Sequence, residues 1–170
     1  GHAPGLSGRA LNAYLAAGVR SDHECTTYEE ALEKRRLGMW IMIRQGSAAR
    51  NLEALLPLVL DHGTTNCLLC TDDREPHDLK EHGHINDVIR EAVALGCPPA
   101  DAVVMATLNA ARYHRLHEHG AVRIGQARAD RHLASFHAID PGLDRALKRQ
   151  GHRPHEARDR GLRGLLQGAA

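Results

Sequence analysis

Met39-Trp40-Ile41-Met42-Ile43-Arg44 is the stretch on which the fold turns. It is short, apolar until its last residue and bounded by Gly38 and Gly46, so it predicts a strand. Downstream, residues 48–60 predict a helix that Pro57 disturbs in its late part. Cys67-Leu68-Leu69-Cys70 predicts the next strand. Upstream, residues 19–22 form a short strand candidate. A helix then starts at Thr26 or Thr27, where either hydroxyl can cap with Glu29 or Glu30 three residues on, and it stops at Gly38. Residues 10–17 read as a short helix, with Leu11 and Leu15 four apart. Residues 85–95 are an amphipathic helix stopped by Gly96, and Pro98-Pro99 opens another that runs to Tyr113. Strand and helix in this rhythm imply parallel strands with helical crossovers, an α/β fold. The rhythm does not choose between an open sheet and a closed barrel. No GxGxxG or GxxxxGK[ST] is present to favour a nucleotide-binding sheet.

The 170 residues suit one domain with a real core, and 42% hydrophobic with 25% charged residues indicates a soluble, globular bulk. No apolar run approaches the roughly 18 residues of a membrane helix, and no secretory signal opens the chain. The four cysteines suggest no secreted disulfide framework, so a cytoplasmic location is expected. Cys67 and Cys70 make a CxxC. No second pair completes a four-ligand zinc site, and residues three apart on a strand face opposite sides, so both read as structural. The net charge of +1 hides a split. Residues 1–111 carry 10 basic and 15 acidic residues, whereas residues 112–170 carry 12 and 6.

Three polar clusters follow predicted strands or turns: His2 before Pro4-Gly5, Asp22-His23-Glu24, and Asp72-Asp73. In a parallel barrel, catalytic groups gather at the C-terminal ends of the strands. Imidazole with carboxylate suits Zn, Mn or Fe. Each cluster alone also reads as structure: a histidine in a turn, a capped loop, a polar turn. Their combination carries the case.

Gly1-His2-Ala3-Pro4-Gly5, Ser21-Asp22-His23-Glu24, Met42-Ile43-Arg44-Gln45-Gly46-Ser47-Ala48, Thr71-Asp72-Asp73-Arg74 and Met105-Ala106-Thr107-Leu108-Asn109-Ala110-Ala111-Arg112 together resemble the adenine deaminases of the amidohydrolase superfamily, in order and spacing. The resemblance runs to about Asp130. It implies the C-terminal half of a (β/α)8 TIM barrel over residues 1–113, with the strand ending at His2 as the fifth. Residues 19–22, 39–44 and 67–70 would be the sixth to eighth strands. Residues 114–130 would begin a small β-domain, and residues 131–170 form an atypical basic tail, disordered or read out of frame.

The resemblance also implies a metal site. His2, His23 and Asp72 would be ligands, with Mn or Fe, commonly as a pair of ions. Asp72 and His23 would be catalytic, and Asp73, Glu24 and Asp22 are secondary candidates. The expected reaction is adenine plus water to hypoxanthine plus ammonia, with adenine as the small-molecule partner. No membrane partner is expected and a homo-oligomer is compatible. The family's His-x-His pair on its first strand has no counterpart here, because His82-Gly83-His84 follows a polar loop and reads as a surface turn. Little turnover is therefore expected of this chain by itself. Two alternatives stand beside this reading: an inactive remnant or binding module using the basic tail, and an amidohydrolase acting on another purine. Nucleic acid binding is disfavoured, because the basic segment of residues 112–170 offers only Tyr113 and Phe136 for stacking.

Overall fold

The computed structural model describes residues 1–117 and 119–121. The tail of residues 131–170 and, within the β-domain segment, residues 118 and 122–130 lie outside the described residues. Within them, ten elements follow in order: α1 (Gly8–Ala16), β1 (Ser21–Asp22), α2 (Tyr28–Arg36), β2 (Trp40–Arg44), α3 (Leu52–His62), β3 (Cys67–Cys70), α4 (Pro76–Glu81), α5 (Ile85–Ala94), α6 (Pro99–Ala106) and α7 (Leu108–Tyr113). The three strands form one parallel sheet in the order β1-β2-β3.

Local chemistry explains most boundaries. Thr27 caps α2 by accepting the Glu30 amide, and Glu30 in turn accepts the Thr26 amide. Glu29 and Glu30 sit in the first turn of α2 and Lys34, Arg35 and Arg36 in its last, which suits the helix dipole at both ends. Gly38, at φ 86°, turns the chain into β2. The expected helix of residues 98–113 breaks into α6 and α7 at Thr107. There the side-chain hydroxyl bonds back to the Val103 carbonyl at 2.6 Å, and the backbone leaves helical geometry at φ −126°, ψ −77°. Helix α4 falls where the sequence reads as a polar loop. It is a single short helix with no buried residue, opened by Pro76.

Burial along β2 alternates. Ile41 and Ile43 are buried, whereas Trp40, Met42 and Arg44 are half-buried. The register pairs Ile41 with Cys67, Ile43 with Leu69 and Arg44 with Cys70. Ile41, Ile43, Cys67 and Leu69 join Leu52, Leu55, Leu56 and Leu58 of α3 and Val88, Ile89, Ala102 and Met105 of α5 and α6 in one core. Helices thus cover one face of the sheet, and the other carries Trp40, Met42 and Arg44. Cys67 and Cys70 lie on opposite faces, as strand alternation requires. Burial raises their thiol pKa values to about 11 and about 12.

Only Gly1 and His2 of the strand expected to end at His2 fall within the described residues, and neither is in a strand there. Just after His2, Asp22 accepts the Ala3 amide and Lys34 donates to the Ala3 carbonyl, so side chains satisfy both polar groups of the Ala3 backbone. Asn109, buried on α7, donates to the carbonyls of Thr64 and Cys67 and ties that helix to the start of β3.

Candidate metal and catalytic site

The loops after β1 and β3 meet the N-terminal segment at one end of the sheet. His2 Nδ1 lies 3.4 Å from Glu24 Oε1, and His23 Nε2 lies 3.3 Å from the same oxygen. The two imidazoles pack edge to face, with centroids 4.4 Å apart. The donor atoms of His2, His23 and Glu24 all lie within 4.8 Å of one another. Asp72 approaches from the other side, its Oδ2 3.8 Å from His23 Nε2. It adopts φ 52°, a left-handed conformation that costs a non-glycine residue energy and recurs at functional sites.

Arg44, the last residue of β2, bridges the two carboxylates. Its guanidinium donates to Glu24 Oε1 and Oε2 at 2.9 and 3.1 Å and to Asp72 Oδ2 at 2.8 Å. Burial alone would lower the Arg44 pKa. Bonds to Asp72 and Glu24 reverse that and hold it above the ordinary arginine value. Sequence reading takes Arg44 only as a strand end. The signal for its role is its phase: it follows Trp40 and Met42 on the face away from the helices.

The same alternation separates the Asp-His-Glu triplet. Asp22 is in register with Ile41, whose side chain enters the helix-covered core. Asp22 is accordingly fully buried and faces Lys34 of α2, also fully buried, at 2.7 Å. It also accepts from the amides of Ala3 and Glu24 and from the Cys25 thiol. Burial pushes the Asp22 carboxyl up, but Lys34 and these donors outweigh it and hold it below the usual carboxylate range. Asp22 is therefore a pinned core group and stands apart from the His2, His23 and Glu24 cluster. A second carboxylate and thiol cluster (Asp22, Cys25 and Glu30) surrounds Lys34. The Lys34 ammonium already serves as its cation, and burial drives the Cys25 thiol pKa far up.

Asp73 points away as well. Its Oδ2 accepts the amides of Ala48 and Ala49, so it organises the loop after β2. That placement requires glycine at position 46, where a Cβ would sit 1.6 Å from Asp73 Oδ1. Ser47 continues the latch, donating to Asp78 and accepting the Glu75 amide. His84 Nε2 meets the Thr71 hydroxyl at 3.0 Å, and His82 lies at the end of α4. Among the described residues neither joins a metal-holding cluster. At the other end of the strands a cavity of about 510 Å³ opens between Arg20, Trp40, Arg112 and Tyr113.

Residues 1–130 match the model of the Amidohydrolase family. The chain is 51% identical over 144 residues to an adenine deaminase of Desulfatibacillum aliphaticivorans, covering 82% of this chain and 25% of that protein. It is 55% identical over 125 residues to an adenine deaminase of Thermosipho africanus, covering 74% of this chain and 22% of that one. A third adenine deaminase, of Methanothrix thermoacetophila, is 52% identical over 130 residues, covering 76% of this chain and 23% of the relative. The chain thus spans about a quarter of the length of the curated relatives it matches. With the family model matched over most of its length, the chain belongs to the amidohydrolase family.

Proposed function

We propose that this chain forms the C-terminal half of a (β/α)8 barrel of an adenine deaminase, with His2, His23 and Asp72 as ligands of a divalent cation, Mn or Fe. The observation that carries the reading is convergence. Side chains from three separate segments bring two imidazoles and two carboxylates to one end of a parallel sheet. The sheet has helices on one face and Trp40, Met42 and Arg44 on the other, the arrangement of a barrel wall whose inner face looks towards the remaining strands.

The donor set fits the ion. Neutral imidazole and carboxylate oxygens are the ligands that Mn and Fe share, and the His2, His23 and Glu24 donors already lie within 4.8 Å of one another. This geometry adds Glu24 as a fourth donor. When bound, such a cation makes hydroxide accessible near neutral pH.

The other roles fall to side chains. Hydrolysis at C6 of adenine adds water and expels ammonia. The Asp72 carboxylate takes the proton from the attacking water and returns it to the purine or the leaving amine. Arg44 holds Asp72 and Glu24 in place through charge-assisted hydrogen bonds.

The test is an ammonia-release assay with adenine and added Mn on this chain joined to the remaining half of the barrel, alongside elemental analysis for bound metal. Turnover on the order of 1–10³ s⁻¹ that falls about 10²–10⁴-fold in Asp72→Asn supports the reading. Bound metal without adenine turnover, but with turnover of another purine, would replace the substrate and keep the site.

A further inference from the structure

The buried lysine of α2 has no part in the chemistry above, yet it contacts the backbone next to one candidate ligand, His2, and the side chain next to another, His23. Lys34 Nζ donates to the Ala3 carbonyl at 2.5 Å, to Asp22 Oδ2 at 2.7 Å and to Glu30 Oε1 at 2.6 Å. Asp22 Oδ1 accepts the amides of Ala3 and Glu24 at 3.1 and 2.9 Å. Glu30 Oε1 accepts the Gly5 amide and Glu30 Oε2 the Thr26 amide, at 2.7 and 3.2 Å. Ala3 follows His2, Asp22 precedes His23, and the Glu24 amide is bonded directly. Lys34 and Asp22 are both fully buried, as is Ala3 apart from a 4% residue of exposure.

We infer that Lys34 and Asp22 form a positioning pair that sets the separation of His2 from His23 and Glu24. Both polar groups of the Ala3 backbone end on this pair, so the residue after His2 is tied to α2 and β1 through side chains. A buried ammonium with three acceptors at 2.5–2.7 Å tolerates little displacement, because a shift leaves a buried charge or carbonyl without its partner. The pair thus acts on the metal at one remove, as outer-shell groups do.

The consequence for metal rests on the site proposed above, and the experiment separates the two. Mn affinity and the visible spectrum of the Co(II)-loaded protein are measured for the full wild-type chain and for the Lys34→Met/Asp22→Asn double variant. The double variant removes both buried charges together and so avoids the stranded carboxylate of Lys34→Met alone. Circular dichroism and thermal unfolding report its fold. We expect a folded double variant to bind Mn about 10–100-fold more weakly, with an altered Co(II) spectrum. A folded double variant with wild-type affinity and spectrum overturns the positioning role. Wild-type protein that binds neither ion overturns the metal site instead.

Amide exchange of wild-type protein decides the pin without any variant. The Ala3 amide is expected to exchange as slowly as those of β2. Exchange at the rate of an exposed loop overturns the inference, whether or not the double variant folds.

Discussion

Arg44 and Lys34 are the two cations on which the candidate site depends, and they differ in what their loss should do. Arg44 touches Glu24 and Asp72 at the site's edge. Arg44→Lys keeps the charge but cannot span two carboxylates with a planar fork. We expect its catalytic efficiency to fall about tenfold or more, equivalent to roughly 1.4 kcal/mol, with little change in melting temperature. Steady-state kinetics beside calorimetry checks this. An unchanged kcat/KM removes Arg44 from the mechanism. Lys34→Met leaves Asp22 buried without its counter-ion and should cost about 3–5 kcal/mol, read by urea unfolding. Neither cation is legible in the sequence. Lys34 sits in the charged run Glu33-Lys34-Arg35-Arg36, and only the fold shows that this member turns inward onto Asp22. His2, His23 and Asp72 are legible because their surroundings carry the family resemblance. Asp22 and Asp73 share those surroundings, and it takes strand phase and loop geometry to set them apart.

At the scale of elements, the strands and most helices could be read from apolar runs and their punctuation. Cys67–Cys70 forms as the sequence predicts, and β2 differs by one residue at its start. What escaped were features that depend on side-chain bonds across the chain. The backbone of Ala3 is claimed by Asp22 and Lys34, Thr107 interrupts a run of good helix formers, and α4 has no buried face to give it periodicity. The loop after β2 supplies a sharp prediction. Gly46→Ala must displace the Asp73 carboxylate or the Thr71 carbonyl, which lies 2.7 Å from the added Cβ. The displaced carboxylate then abandons the amides of Ala48 and Ala49. We expect a loss of about 1–3 kcal/mol, seen as a lowered melting temperature. A melting temperature equal to wild type would show that this loop yields.

Over the whole molecule, acid and alkali should both weaken the fold through the Lys34 pair, and each limb has its own sign. Asp22 titrates below its ordinary value of about 3.9. Its contribution is therefore complete above that pH and disappears as the pH falls through the lowered value. Lys34 titrates above its ordinary value of about 10.4. Burial opposes this, but the bonds to Asp22 and Glu30 prevail, so its contribution persists below that pH and is lost as the pH rises through the raised value. Unfolding free energy measured across pH should show a plateau between those limits, and both flanks should flatten in the Lys34→Met/Asp22→Asn variant. Thiol chemistry offers an independent whole-molecule check. Burial holds Cys67 and Cys97 at about 11 and Cys70 at about 12, and pushes Cys25 higher still. A disulfide reagent at pH 8 should label the native protein slowly and all four thiols quickly in urea. Rapid native labelling would mean that the core opens far more often than this packing allows.

The suspension of Ala3 from Lys34 and Asp22 bears on how such a site could be transplanted. A designer who copied only the loops bearing His2, His23 and Asp72 onto another parallel sheet would take the imidazoles without the gauge that spaces them. The smallest portable unit includes α2, whose visible surface advertises nothing about metal. By the same logic, a substitution at position 34 is expected to be tolerated only together with one at position 22.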